Sequence, residues 1–247
     1  MFKNLGDVTQ VDYVAELDAF ISAYEAETGR QIDEYKVLVT YGAPCQAYCV
    51  VNANRGETES VEHVVNLHCK IFLDAVKKRY PHAACLVENT AHMTNTMKMK
   101  LSTIMGSQPL TMDSGDFGAA MRKRYFWLNF GPIKPLAPFQ HRRVTLADVD
   151  ASLGKHQHKL PTIKCNGHHT LSIAQLEACN TIERGATQLS GRCEGKLTDN
   201  ERSKLVGQCA APAVMAHLLS SLSATSIEDE NIWRWAHSHG IDARKPL

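Results

Sequence analysis

The sequence predicts an α/β domain built around a parallel sheet, and two observations carry that expectation. Short apolar runs at 37–39, 83–87 and 125–130 alternate with longer stretches whose apolar residues recur at helical spacing. The first two runs end in Gly42-Ala43-Pro44 and Glu88-Asn89, as strands do on reaching the carboxyl edge of a parallel sheet, where ligands gather.

Along the chain, Val14, Leu17, Ile21 and Tyr24 predict a helix over 11–24, stopped at Thr28-Gly29. The run 37–39 predicts a buried parallel strand entering a loop. Val61, Val64, Val65, Phe72, Ala75 and Val76 share one face of a second helix, which ends at Tyr80-Pro81. A second buried strand covers 83–87. The Met-rich stretch 93–105 predicts a partly core-facing helix, and 125–130 a third strand. Past Gly131 the prolines at 132, 135 and 138 mark a linker into a basic, His-rich region. Helices are expected over 171–179 and 201–222, the latter broken between Gly207 and Pro212. The expected division is a core over 1–131, a small region over 132–200, a helix returning to the core over 201–225, and a tail over 226–247.

Composition narrows the function classes only partly. The 247 residues carry a formal charge of +1, so no global basic field advertises nucleic acid. Any such contact falls to local clusters, Arg122-Lys123-Arg124, Arg142-Arg143 and the basic residues between 155 and 164. The eight cysteines form no CxxC pair, which argues against structural zinc. Several, such as Cys85 in Ala84-Cys85-Leu86-Val87, read as small buried hydrophobes. With no signal peptide and no apolar run approaching the length of a membrane span, the expectation is a soluble intracellular protein in a reducing compartment.

Individually the polar residues near the strand ends are ambiguous. Cys45 after Pro44 reads as structural or nucleophilic. Glu88 could cap a following helix, where a carboxylate meets the dipole favourably. Arg122 and Arg124 could form a solvated basic face, and Asn52 and Arg55 could merely close a loop.

Their order is more specific. Gly6-Asp7-Val8-Thr9-Gln10, Ala43-Pro44-Cys45-Gln46, Glu88-Asn89-Thr90 and Arg122-Lys123-Arg124-Tyr125-Phe126-Trp127 follow one another, with Leu171-Ser172-Ile173-Ala174-Gln175-Leu176-Glu177 and Leu205-Val206-Gly207-Gln208-Cys209-Ala210-Ala211-Pro212-Ala213-Val214 behind them. This succession resembles the C5-cytosine DNA methyltransferase family over roughly residues 4–222. Within the family, 41–56 and 113–129 look most like the animal de novo enzymes.

The resemblance implies a Rossmann-like sheet with a small target-recognition insert, S-adenosylmethionine as methyl donor and double-stranded DNA as substrate. It implies Cys45 as the thiolate that attacks carbon-6 of a flipped cytosine, on a loop stiffened by Pro44. Glu88 would bond N3 and the exocyclic amine, and Arg124 would hold O2 and orient Glu88. Arg122 joins this catalytic set as a partner for a neighbouring phosphate or carboxylate. Asn52, Arg55 and Asn89 would contact the substrate, while Asp7, Val8, Pro44, Gly207 and Gln208 would line the cofactor. A nuclear setting is implied for a eukaryotic source, a cytoplasmic one for a bacterium or phage.

The chain also departs from the family. A Phe-x-Gly-x-Gly turn, which in the family cradles the methionine part of the donor, occurs nowhere in it, so the expected sheet is incomplete. Gln208 and Cys209 stand where the family usually has Asn and Ser, and Thr90 replaces a Val. Three readings stay open: sequence upstream of Met1 carries the missing strands, a second chain supplies them, or the chain is a noncatalytic relative that binds DNA or regulates a methyltransferase.

Overall fold

A computed structural model of the chain describes residues 11–29, 37–42, 61–133, 145–151, 171–182, 184–187, 197–208 and 210–223. The chain divides into two compact units, Met1–Thr111 with Arg124–Phe130, and Met112–Lys123 with Gly131–Leu247.

The first unit holds helices α1 (Tyr13–Thr28), α2 (Val61–Arg79) and α3 (Asn95–Met105) and strands β1 (Leu38–Gly42), β2 (Ala84–Thr90) and β4 (Lys123–Leu128). Strand β3 (Leu110–Asp113) completes a four-stranded sheet of order β1-β2-β4-β3. Asp12 starts α1 by accepting from the Ala15 amide at 3.1 Å, and Gly29 ends it with a left-handed φ of 70°. Thr94 and Gly106 delimit α3 in the same way. Lys77, Lys78 and Arg79 sit in the last turn of α2, where positive charge suits the dipole. The Asp18 carboxylate on α1 accepts from Arg79 and from the Tyr80 hydroxyl, tying the two helices together.

Strand alternation sorts the sheet's side chains. Val39, Cys85, Val87 and Trp127 share a core with Cys69, Leu73 and Val76 of α2 and Leu101 of α3. The Trp127 indole donates to Ser102 Oγ at 3.2 Å, so its polar edge is satisfied in the interior. Leu86 and Phe126 are buried on the other face.

Four expectations change. The sheet is mixed rather than parallel throughout: β1 and β2 run parallel, and β4 runs antiparallel to β2. Strand β1 is half-buried rather than covered on both sides, because it lies at the edge of the described sheet; Val39 is buried and Leu38 exposed. Strand β2 continues through Glu88 and Asn89 to Thr90, so Glu88 is a strand residue and not a helix cap. Tyr24, placed on the apolar face of α1 by its spacing, is exposed, while Leu17 and Ile21 pack on the core.

The second unit contains α4 (Leu146–Val149), α5 (Ile173–Cys179), α6 (Asp199–Gln208) and α7 (Pro212–Ser223). Capping boxes begin α4 at Thr145 with Asp148 and α5 at Ser172 with Gln175. Thr198 and Glu201 exchange the same bonds at the start of α6. Ala119, Ala120, Leu146, Ile173, Leu176, Cys179 and Val206 form the core. The stretch Asp199–Leu222 is long and apolar enough by composition to cross a membrane. It is nevertheless two helices separated before Pro212, with Val206, Val214 and Leu218 buried.

Glu177 organises this unit. Its fully buried carboxylate accepts from the Gly185 amide at 2.5 Å, the Thr187 amide at 3.0 Å and the Thr187 hydroxyl. Arg202 of α6 adds a charged donor at 3.2 Å. Burial pushes this carboxyl up, but the Thr187 hydroxyl, the two amides and Arg202 outweigh it and hold the group below its ordinary value.

The segment 112–123 is packed tightly against α5. Ala120 donates to the Cys179 carbonyl at 3.0 Å. A Cβ on Gly118 would lie 2.8 Å from Thr181 Cγ2 and 3.1 Å from the Cys179 carbonyl oxygen. Gly118→Ala is therefore expected to cost about 1–3 kcal/mol through overpacking, seen as a lowered midpoint in thermal melts. An unchanged midpoint would show that this contact yields freely.

Candidate active site

The site begins with register. In the parallel pair, Gly42 of β1 lies opposite Glu88 of β2, so both stand toward the carboxyl end of the pair. In the antiparallel pair, Thr90 faces Arg124 and Glu88 faces Phe126. Glu88 and Arg124 are thus diagonal neighbours on one face, within reach of long side chains. Arg124 Nε meets Glu88 Oε1 at 2.7 Å, a charge-assisted bond. The two side chains are only 11% and 17% exposed, shielded enough from water to strengthen the attraction. Of the seven residues of β2 only Glu88 keeps partial exposure, so the carboxylate is held rigidly but stays reachable. A Cβ on Gly42 would come to 4.0 Å from Glu88 Oε2, so the end of β1 passes directly beside the carboxylate.

The other expected site residues divide into four groups. Asp7, Val8, Pro44, Cys45, Asn52 and Arg55 lie outside the described residues. Asn89 sits in β2 but, by strand alternation, on the face opposite Glu88; it is buried, and its Oδ1 accepts from the Thr90 amide at 2.7 Å. Arg122 is 5% exposed, and its Nη1 donates to the Val206 carbonyl of α6 at 3.4 Å. Gly207 is half-buried in the last turn of α6, and Gln208 ends that helix.

Two site features escape a reading of the sequence. Thr90 shares the face of Glu88 and Arg124 and uses its hydroxyl to accept from the His92 amide at 3.2 Å, shaping the turn beyond the site. Phe126, buried opposite Glu88, provides an apolar neighbour for the ion pair. Strand alternation could have revealed both, given the true end of β2.

The described cysteines are inert by environment. Burial, with Cys85 nearby, pushes the Cys69 thiol up to about 12, and burial raises Cys179 to about 11. Cys85 is raised by burial as well, which keeps all three protonated near neutral pH. A groove of about 530 Å³ beside β1 is lined by Tyr13, Leu17, Phe20, Val39 and Phe72 among others. It shares no lining residue with the Glu88–Arg124 pair, and its walls are mostly apolar, with Glu16, Thr40 and His68 also on them.

No protein-family model matches the chain. Its structure is similar to that of the Entamoeba histolytica methyltransferase EhMeth, with a TM-score of 0.51 and 12% identity, covering 84% of this chain and 88% of that one. The chain therefore has a mixed α/β fold of the kind found in that methyltransferase structure.

Proposed function

We propose that this chain is a DNA (cytosine-5)-methyltransferase acting on double-stranded DNA with S-adenosylmethionine as methyl donor. The observation that carries this reading is the shielded Glu88–Arg124 pair at the end of the β1–β2 parallel pair. A carboxyl group held beside a guanidinium can, when protonated, donate to N3 of a cytosine and accept from its exocyclic amine, while the arginine donates to its O2. The fold likeness to a methyltransferase structure agrees with this reading.

In the proposed reaction the Cys45 thiolate adds to carbon-6 of a flipped cytosine. Glu88 and Arg124 stabilise the charge that moves into the ring, and carbon-5 becomes nucleophilic. Once carbon-5 carries the methyl group that the donor would supply, transfer of its proton to a base expels the Cys45 thiolate by elimination and restores the ring double bond. Asn52 and Arg55 are assigned to the DNA side, whereas Asn89, buried on the face opposite Glu88, is not.

The methyl donor, when bound, supplies a sulfonium methyl group for carbon-5. In the proposal its adenine end meets Gly207, which is half-buried in the last turn of α6 and has no side chain to keep a ligand from the backbone.

Duplex DNA containing 5-fluorocytosine tests the reading, because fluorine blocks loss of the carbon-5 substituent and arrests the adduct. With the methyl donor and the chain expressed from its full genomic locus, a denaturation-resistant adduct is expected, lost in Cys45→Ser. DNA binding without any adduct would favour the noncatalytic relative instead.

A further inference from the structure

The break between α6 and α7 is held from both sides by residues distant in sequence. The last carbonyls of α6 lack intrahelical partners, as do the first amides of α7. Arg122 answers the first need by donating to the Val206 carbonyl, one residue before Gly207. Thr181 answers the second, its hydroxyl accepting from the Ala213 amide at 3.3 Å. Thr181 does so from a φ of 59°, a left-handed conformation that is costly for a β-branched residue. Gly118 packs closely against its methyl group.

One short segment underlies this arrangement. Asp113 Oδ1 accepts from the Arg122 amide at 2.7 Å and from the Gly115 amide at 2.9 Å. Ser114 Oγ donates to the Ala120 carbonyl at 2.7 Å, so 112–123 is a braced turn that delivers Arg122 to α6. Burying an arginine to 5% exposure carries a large desolvation penalty, and at this burial the guanidinium does not present itself to a DNA phosphate. At the end of α6 it meets the negative pole of the helix, where a cation is favoured.

We propose that Arg122 is a positioning residue that holds the α6–α7 turn in the shape its ligand needs, taking no part in base chemistry. This rests on reading that turn as part of the methyl-donor site. Freed from Arg122, the last turn of α6 frays, and Gly207 and Gln208 lose their fixed backbone geometry.

The test compares wild type with Arg122→Met, which keeps the stem and removes the charge, and with Arg122→Lys, which restores the charge. Three quantities are read: hydrogen exchange of the amides in 207–213, the Kd for S-adenosylhomocysteine, and kcat at saturating donor. In Arg122→Met, exchange in 207–213 is expected to quicken by about tenfold or more and the Kd to weaken about tenfold, the loss of one charge-assisted bond, with a much smaller change in kcat. Arg122→Lys is expected to recover part of both. A fall in kcat with Kd and exchange unchanged overturns the proposal and returns Arg122 to the chemistry. If wild type binds no S-adenosylhomocysteine, the methyl-donor reading fails and exchange alone decides the positioning role: acceleration confined to 207–213 upholds it, and unchanged or uniformly raised exchange overturns it.

Discussion

Glu88→Gln is expected to lower the rate of methyl transfer to duplex DNA by roughly 10²- to 10⁴-fold, the range typical of a lost acid–base group. The substitution keeps size and strand position, so β2 and its pairing with β4 should persist. It removes the negative charge that Arg124 meets at 2.7 Å and the group able to share a proton with ring N3. Because the effect belongs to the chemical step, kcat should fall while the affinity for duplex DNA changes little. Single-turnover transfer of labelled methyl groups, with a parallel DNA-binding titration, separates the two. A variant retaining a tenth or more of wild-type turnover would remove Glu88 from the proposed reaction.

The largest effect on stability is expected at Glu177. Replacing it by Leu takes the buried carboxylate from Arg202, which is 15% exposed and keeps Thr187 and the exposed Asp199 as partners, and leaves the Gly185 and Thr187 amides without their acceptor. Breaking a buried pair from one side costs about 3–5 kcal/mol. In a chain of this size that lowers the melting midpoint by on the order of 10 °C. The pH dependence follows from the direction of the shift. The folded carboxyl is held below its ordinary value of 4.5, so its contribution is complete above that value and is lost as pH falls through the lower, folded one. The gap between wild type and Glu177→Leu should therefore be wide at neutral pH and narrow in strong acid. Removing Arg202 as well should restore part of the loss, since the partly buried charge that lost its carboxylate disappears. Equal melting of the single variant and wild type at neutral pH would contradict this account.

What the sequence made legible was mostly what local chemistry decides. Gly29, Tyr80-Pro81 and Pro212 mark helix boundaries because caps and breakers act through their own backbone, and the structure places boundaries at each. The direction of β4 was hidden, since alternation along a strand is the same whichever way its neighbour runs. Strand β3 was missed because four residues are too few to show a period. The end of β2 was read too early for a more instructive reason. A carboxylate inside a strand looks like a stop until its partner is known, and Arg124 arrives from a different strand. Pairing Glu88 with Arg124 from sequence depended on family resemblance, whereas the diagonal register that joins them is a property of the folded sheet.

The side chain of Asn129 gives that register an anchor. Its Oδ1 accepts from the Cys85 amide at 2.6 Å and its Nδ2 donates to the Ala83 carbonyl at 2.9 Å, bridging the amino end of β2 to the chain just past the end of β4. Glu88 and Arg124 occupy the other end of the same two strands. A slip of one residue would send every side chain to the opposite face and separate the carboxylate from the guanidinium. The alignment of the candidate site is thus calibrated at the far end of the strands, by an amide that touches none of the reacting groups. Searches for altered activity should therefore examine that distant joint as closely as the ion pair, because a change there detunes the site without entering it.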